Sequence, residues 1–430
     1  MKKRTKQTVK RYDFVKRPKK PNAFFRWLIG VISKIAVGGE YKVTREGMDG
    51  LKPPYLILTS HMSFFDFSVM ARATRPYGAN NVCALDGIND YGEWLMRQVG
   101  VIGKRKFIKD LNLLRNMKHS VSKLNNTVIL YPEAKYSIQG ATSFLPLALG
   151  KLAKFMGVPV VVTILHGDYV AQPQWNVMTK AQKKSGKRKV PLHCEMKLVA
   201  SLDEVRALSE DELQKRIEKA FVYDDFKWQK DNNIIINHPE RARGLNKLLY
   251  QCAACGVEHK MYSESTEIYC EACGKRWMLS ELGQLHAVGG ETEFEHIPDW
   301  FEWQRKNVQK QVLEGTYHFE DEVRVETLPG ANGFFAHGTG HLVHCVDGLT
   351  LTCNAYGEPI TVHWDGISTD GLHIEYSYKK GLGSAEDVLD ISTQDESYWL
   401  YPLNKRDVIT KASLATDEIY KLRIAEARKK

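Results

Sequence analysis

The sequence contains no long apolar run. A helix that crosses a bilayer needs roughly 20 such residues, and the best stretch, Phe24 to Val37, is broken by Arg26 and Lys34. That run also begins too late, and is too charged, for a cleaved signal peptide to be expected. Neither glycine (32) nor proline (15) is in excess among 430 residues, which excludes collagen-like and low-complexity classes. Outside its first 20 residues the chain has little net charge. Ten basic side chains and Asp13 give that start +9 of the overall +10, so the basic balance does not describe a nucleic-acid-binding body, and no nucleic-acid partner is expected. Cysteines are few. Four of the eight form two close pairs and four are scattered, which argues for a reducing compartment with one metal site rather than a disulfide framework.

At 430 residues the chain is long enough for two or three domains. On a helical wheel Phe24, Trp27, Leu28, Val31 and Ile35 share a face, with Arg26, Ser33 and Lys34 opposite. A helix of this kind behind a lysine-rich start suits an anionic membrane surface. Tyr55–Ser60, Thr127–Tyr131, Val158–Leu165 and Val190–Ala200 read as strands, with helical patterns at 67–74, 91–99, 111–124 and 145–157. This alternation predicts an α/β layer structure. A charged, helix-favouring stretch over 202–230 closes it, a basic turn-like insert covers 180–189, and 231–237 reads as a linker with a short strand. Beyond about 315, short segments rich in valine, threonine, tyrosine and glycine predict an antiparallel β domain with a helical tail over 413–430.

The chemistry-bearing segment is Leu58-Thr59-Ser60-His61-Met62-Ser63-Phe64-Phe65-Asp66. A histidine ends a buried strand, where open α/β sheets build their sites, and an aspartate follows five positions on. A carboxylate on one ring nitrogen fixes the tautomer, so that the other nitrogen can take a proton from a hydroxyl. Asp66 as a helix N-cap is the plainer reading. Tyr131-Pro132-Glu133-Ala134-Lys135-Tyr136-Ser137 follows the second buried strand and belongs to the same edge. Gly100-Val101-Ile102-Gly103-Lys104-Arg105-Lys106 lies before it, and Val158-Pro159-Val160 after it.

Together these four ordered segments resemble the glycerolipid acyltransferase family, the 1-acylglycerol-3-phosphate acyltransferases and relatives, over roughly residues 24–230. The family's blocks are N-H-x4-D, glycine-isoleucine-basic, F-P-E-G-T-R-S and a V-P strand. The resemblance implies that His61 is the general base and Asp66 orients it. It implies that Gly100 turns the second block, that Arg105 or Lys106 holds an acceptor phosphate, and that Glu133 sits in the acceptor pocket with Lys135 as a substitute cation. Val158–Val160 would line the acyl tunnel. The implied donor is acyl-CoA or acyl-carrier protein, the implied acceptor a lysophospholipid such as 1-acylglycerol 3-phosphate, and the chemistry needs no catalytic cofactor. Ser60 stands where asparagine is common, Ala134 where glycine is, and Lys135-Tyr136 replace Thr-Arg. A non-catalytic lipid- or protein-binding protein on the same fold is the competing expectation.

Cys252-x2-Cys255 and Cys270-x2-Cys273, each followed by glycine, have the spacing of a zinc ribbon that holds one structural Zn²⁺. The expected organisation is a basic tail and membrane-surface helix (1–40), an acyltransferase domain (41–245), the ribbon (246–285), and a helical linker with a β-rich domain and terminal helix (286–430). The expected location is cytoplasmic, peripheral on the inner face of the membrane.

Overall fold

The computed structural model describes residues 10–37, 40–176, 188–378 and 386–429. Residues 1–9 of the basic start, and most of the basic insert at 180–189, lie outside the described residues.

The first layer is a seven-stranded sheet: β1 (Tyr41–Glu46), β2 (Leu56–Thr59), β3 (Ala79–Ala84), β4 (Ile102–Lys104), β5 (Thr127–Leu130), β6 (Val160–His166) and β7 (Leu192–Ala200), in the order β1-β7-β6-β2-β5-β3-β4. From β6 to β4 the neighbours are parallel; β7 turns antiparallel to β6 and carries β1 parallel to itself. The central strands are continuous apolar runs, as parallel strands covered on both faces require. Leu56, Ile57, Leu58, Val160 and Val161 are fully buried.

Helices cover both faces: α1 (Ala23–Val37), α2 (Asp66–Ala73), α3 (Leu85–Tyr91), α4 (Glu93–Gln98), α5 (Leu111–Ser122), α6 (Leu149–Met156), α7 (Asp168–Ala171), α8 (Leu202–Ala207), α9 (Glu210–Ala220) and α10 (Asp225–Asp231). Ser201 and Ser209 each close a capping box with the glutamate three residues on, which explains why the charged stretch divides into α8 and α9. The expected short strand within 231–237 does not form; Ile236 N–H donates to the Glu281 carbonyl instead.

After α11 (Leu245–Leu248) comes a four-stranded antiparallel sheet, β8 (Met261–Glu264), β9 (Glu267–Cys270), β10 (Arg276–Leu279) and β11 (Leu285–Ala287). It is anchored to α12 (Ile297–Leu313), where Trp277 and Trp300, both fully buried, meet edge to face at 4.9 Å. The last layer is a second seven-stranded sheet, wholly antiparallel: β12 (His318–Leu328), β13 (Phe335–Cys345), β14 (Gly348–Ala355), β15 (Glu358–Asp365), β16 (His373–Tyr378), β17 (Glu386–Ser392) and β18 (Ser397–Pro402). The final helix, α13 (Ile409–Lys429), is no free tail: Ile409, Ala412, Leu414, Ala415 and Ile419 are buried in the common core.

The start of the chain is also tied down. Tyr12 is buried over Gly103, so close that a Cβ there would collide with its ring. Arg17 donates to Asn116 Oδ1, and Arg11 reaches Asp395. Residues 10–20 therefore spend part of their charge on the fold. Helix α1 packs Phe25 and Ile29 onto a small buried cluster around Tyr12 and Ile88, and leaves other apolar side chains outside. Ser33 and Gly30 face the protein, whereas Phe24 (60% exposed), Trp27 (58%), Val31 and Ile32 face outward. Among the described residues no helix is long and apolar enough to cross a membrane.

Candidate active site

Register brings the blocks together. Leu58 on β2 is paired with Leu130 on β5, so His61 and Glu133, each three residues beyond, emerge at the same sheet edge. Ala84 on β3 is paired with Lys104 on β4, which sets the second block at that edge too.

His61 Nδ1–H donates to Asp66 Oδ2 at 2.6 Å. Asp66 opens α2 but does not cap it. Its carboxylate turns back and accepts the N–H groups of Met62 (2.8 Å) and Ser63 (3.1 Å). The loop from 61 to 66 is thus closed on the acid. Burial pushes the Asp66 carboxyl above its ordinary range, opposed by His61 and the two N–H groups. With Nδ1 committed, Nε2 is the nitrogen left to act, and it has no hydrogen-bond partner among the described residues. The His61 ring lies between Tyr131 (4.3 Å) and Tyr136 (4.0 Å). Behind Tyr136, β16 brings His373, whose Nε2 is 2.9 Å from Glu375.

A cavity of about 400 Å³ opens beside this pair. Its apolar wall includes Leu113 and Leu114 of α5, Leu149 and Leu152 of α6, and Phe144 and Phe155. The last layer closes it with Ile367, Asp370, Asp417 and Tyr420. His61 does not line it; Tyr131 does, and is shared between the cavity and the histidine. Val158–Val160 do not line it either. Val158 and Val160 pack into the core beneath the sheet edge, and the cavity wall comes from α5 and α6.

Glu133 lies at the cavity, where it accepts the Tyr223 hydroxyl at 2.8 Å and that of Ser143 at 3.0 Å. Burial raises its pKa to about 7. Gly100 has φ +81°, and a Cβ there would meet Pro21 and Asn80, so the turn requires glycine. Ala134 also holds a left-handed conformation, φ +55°, which glycine adopts without strain.

Of the three cations expected to hold a phosphate, Arg105 and Lys106 do not line the cavity, and Lys135 lines it already paired. Arg105 donates to the carbonyls of Leu328, Pro329 and Asp395 and to Ser397 Oγ, and burial lowers its pKa to about 10. Lys106 is held between Asp390 (2.9 Å) and Asp86 (3.0 Å). Burial opposes its charge, but these acids outweigh it and raise its pKa. Lys135 pairs with Asp417 at 3.0 Å. Residues from the second half of the chain take up all three. Lys104, which the motif included without a role, does face the cavity, and burial lowers its pKa. The sequence carried no signal that singles out Lys104 from the basic run, because β4 ends at that residue.

The four cysteines come together as expected. Their sulfurs lie within 4.8 Å of one another, with Cys252 and Cys273 at 3.7 Å and Cys255 and Cys270 at 3.8 Å. Those separations exceed a disulfide bond and match the roughly 3.8 Å edge of a tetrahedron built on 2.3 Å zinc–sulfur bonds. Gly256 and Gly274, at φ +74° and +77°, turn the two knuckles, each glycine N–H donating to the carbonyl of the first cysteine of its pair. The set fits Zn²⁺ and leaves no open coordination position for catalysis.

No family model and no curated protein matches the chain. Among solved structures, the 1-acyl-sn-glycerophosphate (LPA) acyltransferase PlsC from Thermotoga maritima aligns with 46% of this chain and 76% of its own, at 17% identity and a TM-score of 0.34.

Proposed function

We propose that the chain is an acyltransferase that moves an acyl group from a thioester, acyl-CoA or acyl-carrier protein, to the hydroxyl of a lipid acceptor. The observation that carries this reading is the His61–Asp66 pair closed at 2.6 Å on the sheet edge, with the Tyr131 ring joining it to a largely apolar cavity. The four ordered blocks support it from the sequence side. In the reaction, His61 Nε2 takes the acceptor hydroxyl proton as the oxygen attacks the thioester carbonyl. The C–O bond forms, the C–S bond breaks, and the thiolate leaves with the proton from His61. Asp66 holds the imidazole and stabilises its cation.

The reading extends to a membrane surface. The outward aromatic face of α1 is the side that would enter the interface, and the basic start would meet anionic headgroups.

The test is His61→Ala against wild type, with labelled long-chain acyl-CoA, then acyl-carrier protein, and a range of lysolipid acceptors. Ester product from wild type and a loss of a hundredfold or more in the variant, within the 10²–10⁴ ascribed to a general base, would support acyl transfer. Equal activity in a folded variant would sink it. A second reading, a non-catalytic lipid-binding protein, is favoured by the loss of Arg105, Lys106 and Lys135 to internal partners. Lipid binding unaffected by His61→Ala, without turnover from either donor, would select it.

A further inference from the structure

The site's cations are where this chain departs furthest from its own motif. A phosphate monoester carries about −1.5 to −2 charges near neutrality and is held by desolvated, geometrically fixed cations, above all arginine forks. Here the Arg105 fork is filled by three backbone carbonyls and a serine hydroxyl. Lys106 already has two carboxylates within 3.0 Å. Lys135 has Asp417, which Arg305 also contacts at 3.3 Å. A ligand phosphate would have to displace these buried acids, leaving them uncompensated in a dry interior.

With the Lys135–Asp417 pair set aside, the cavity is lined by Lys104, Lys109 and Lys151 against Asp370 and Glu133, and of the three lysines only Lys104 is withdrawn from bulk water. Lys104 has no hydrogen-bond or ion-pair partner among the described residues, and Asp370 is the acid that bears most on it. Asp370 comes from the last layer and, half-buried, is pushed up by burial. Glu133, fully enclosed, is a further acidic group on the same wall. Lys109 and Lys151 are exposed lining residues, and hydrated surface ammonium groups contribute little to anion binding.

We infer that the acceptor carries no phosphate monoester: its headgroup is neutral or zwitterionic, received by Lys104 and Asp370 and not by a cation cluster. This rests on the acyltransfer reading and narrows its substrate. The C-terminal layer is then the specificity element, because it supplies Asp370 and withdraws the cations through Asp390, Asp417 and the carbonyls around Arg105.

The experiment has two arms on the full chain. In the first, 1-acylglycerol and 1-acylglycerol 3-phosphate compete as acceptors for acyl-CoA, in mixed micelles at matched surface concentration. The expected result is a kcat/KM at least about tenfold higher for the phosphate-free acceptor, with Lys104→Gln raising its KM more than it lowers kcat. Equal use of the two, or preference for the phosphate, overturns the inference. In the second, inorganic phosphate is titrated calorimetrically into wild type and Lys104→Gln. No saturable heat below millimolar supports the inference, and saturable binding in that range, weakened by Lys104→Gln, overturns it. If neither acceptor, nor a zwitterionic 1-acylglycerophosphocholine, gives His61-dependent product with acyl-CoA or acyl-carrier protein, the acyltransfer reading fails, while the phosphate titration still decides whether a phosphate site exists.

Discussion

Lys135 Nζ lies 3.0 Å from the Asp417 carboxylate, joining the third sequence block to the last helix across 282 residues. Both side chains are buried, and Lys135 and Arg305 outweigh burial to keep the Asp417 pKa below its ordinary value. Breaking such a pair from one side leaves a buried charge uncompensated. Asp417→Asn is expected to cost about 3–5 kcal/mol, and Lys135→Met combined with Asp417→Leu to recover most of it. Denaturant unfolding of the two variants and wild type measures both.

Ala134 keeps a backbone conformation that costs a non-glycine residue about 1–2 kcal/mol. Glycine relieves that strain but gives part back through the freer unfolded chain, so Ala134→Gly should stabilise the fold by about 0.5–1 kcal/mol. A shift of the unfolding midpoint to lower denaturant would show that the loop is not strained here.

Glu133 gives stability a pH dependence of known sign. Its carboxyl ionises at about 7 in the folded chain against an ordinary 4.5. The folded state therefore binds more protons than the unfolded one between those values, and the group's contribution falls as pH rises through that window. Glu133→Gln removes the effect. Relative to wild type, the variant should gain on the order of 3 kcal/mol between pH 4.5 and 8. Parallel stability curves over that range would count against a neutral Glu133.

The cysteine cluster predicts about one zinc per chain, read by elemental analysis. Strong chelators should remove it and lower the melting temperature, and Cys252→Ala should do the same without chelator. The damage should spread beyond the ribbon, because Trp277 is packed on Trp300 of α12. Chelation that leaves the melting curve unchanged would show that the cluster holds no structural metal.

For the membrane, Phe24→Ala with Trp27→Ala should weaken binding to anionic vesicles about tenfold or more, since each exposed ring offers apolar area worth about 1.5–3 kcal/mol when buried. Stability should barely change. Vesicle co-sedimentation with and without added salt separates this from attraction by the basic start.

In the first sheet the strands read from sequence were the apolar runs β2, β5 and β6, together with the alternating β7. β3 gave no such signal because its centre is polar. Asn80 and Asn81 are buried there, with Asn80 donating to the carbonyls of Lys19 and Gly100 and accepting from Asn126. β1 was hidden because it is a half-exposed edge. His61 and Asp66 were legible as a pair because five residues of loop bring them together. The roles of Arg105, Lys106 and Lys135 were not, because, Asp86 apart, their partners lie in the second half of the chain, 223 to 292 positions away, and spacing carries no information over that distance.

The inward turn of those three cations has a consequence for how the chain can be altered. Removing the acid at 390 or 417 strands a buried cation at 106 or 135, so substitutions in the two halves are energetically coupled. Residues 41–245 alone would face solvent with Arg105, Lys106 and Lys135 released, a more cationic surface than the whole molecule presents. Exchanging the second half for another cover would therefore change the charge of the first sheet's edge as well as what shields it.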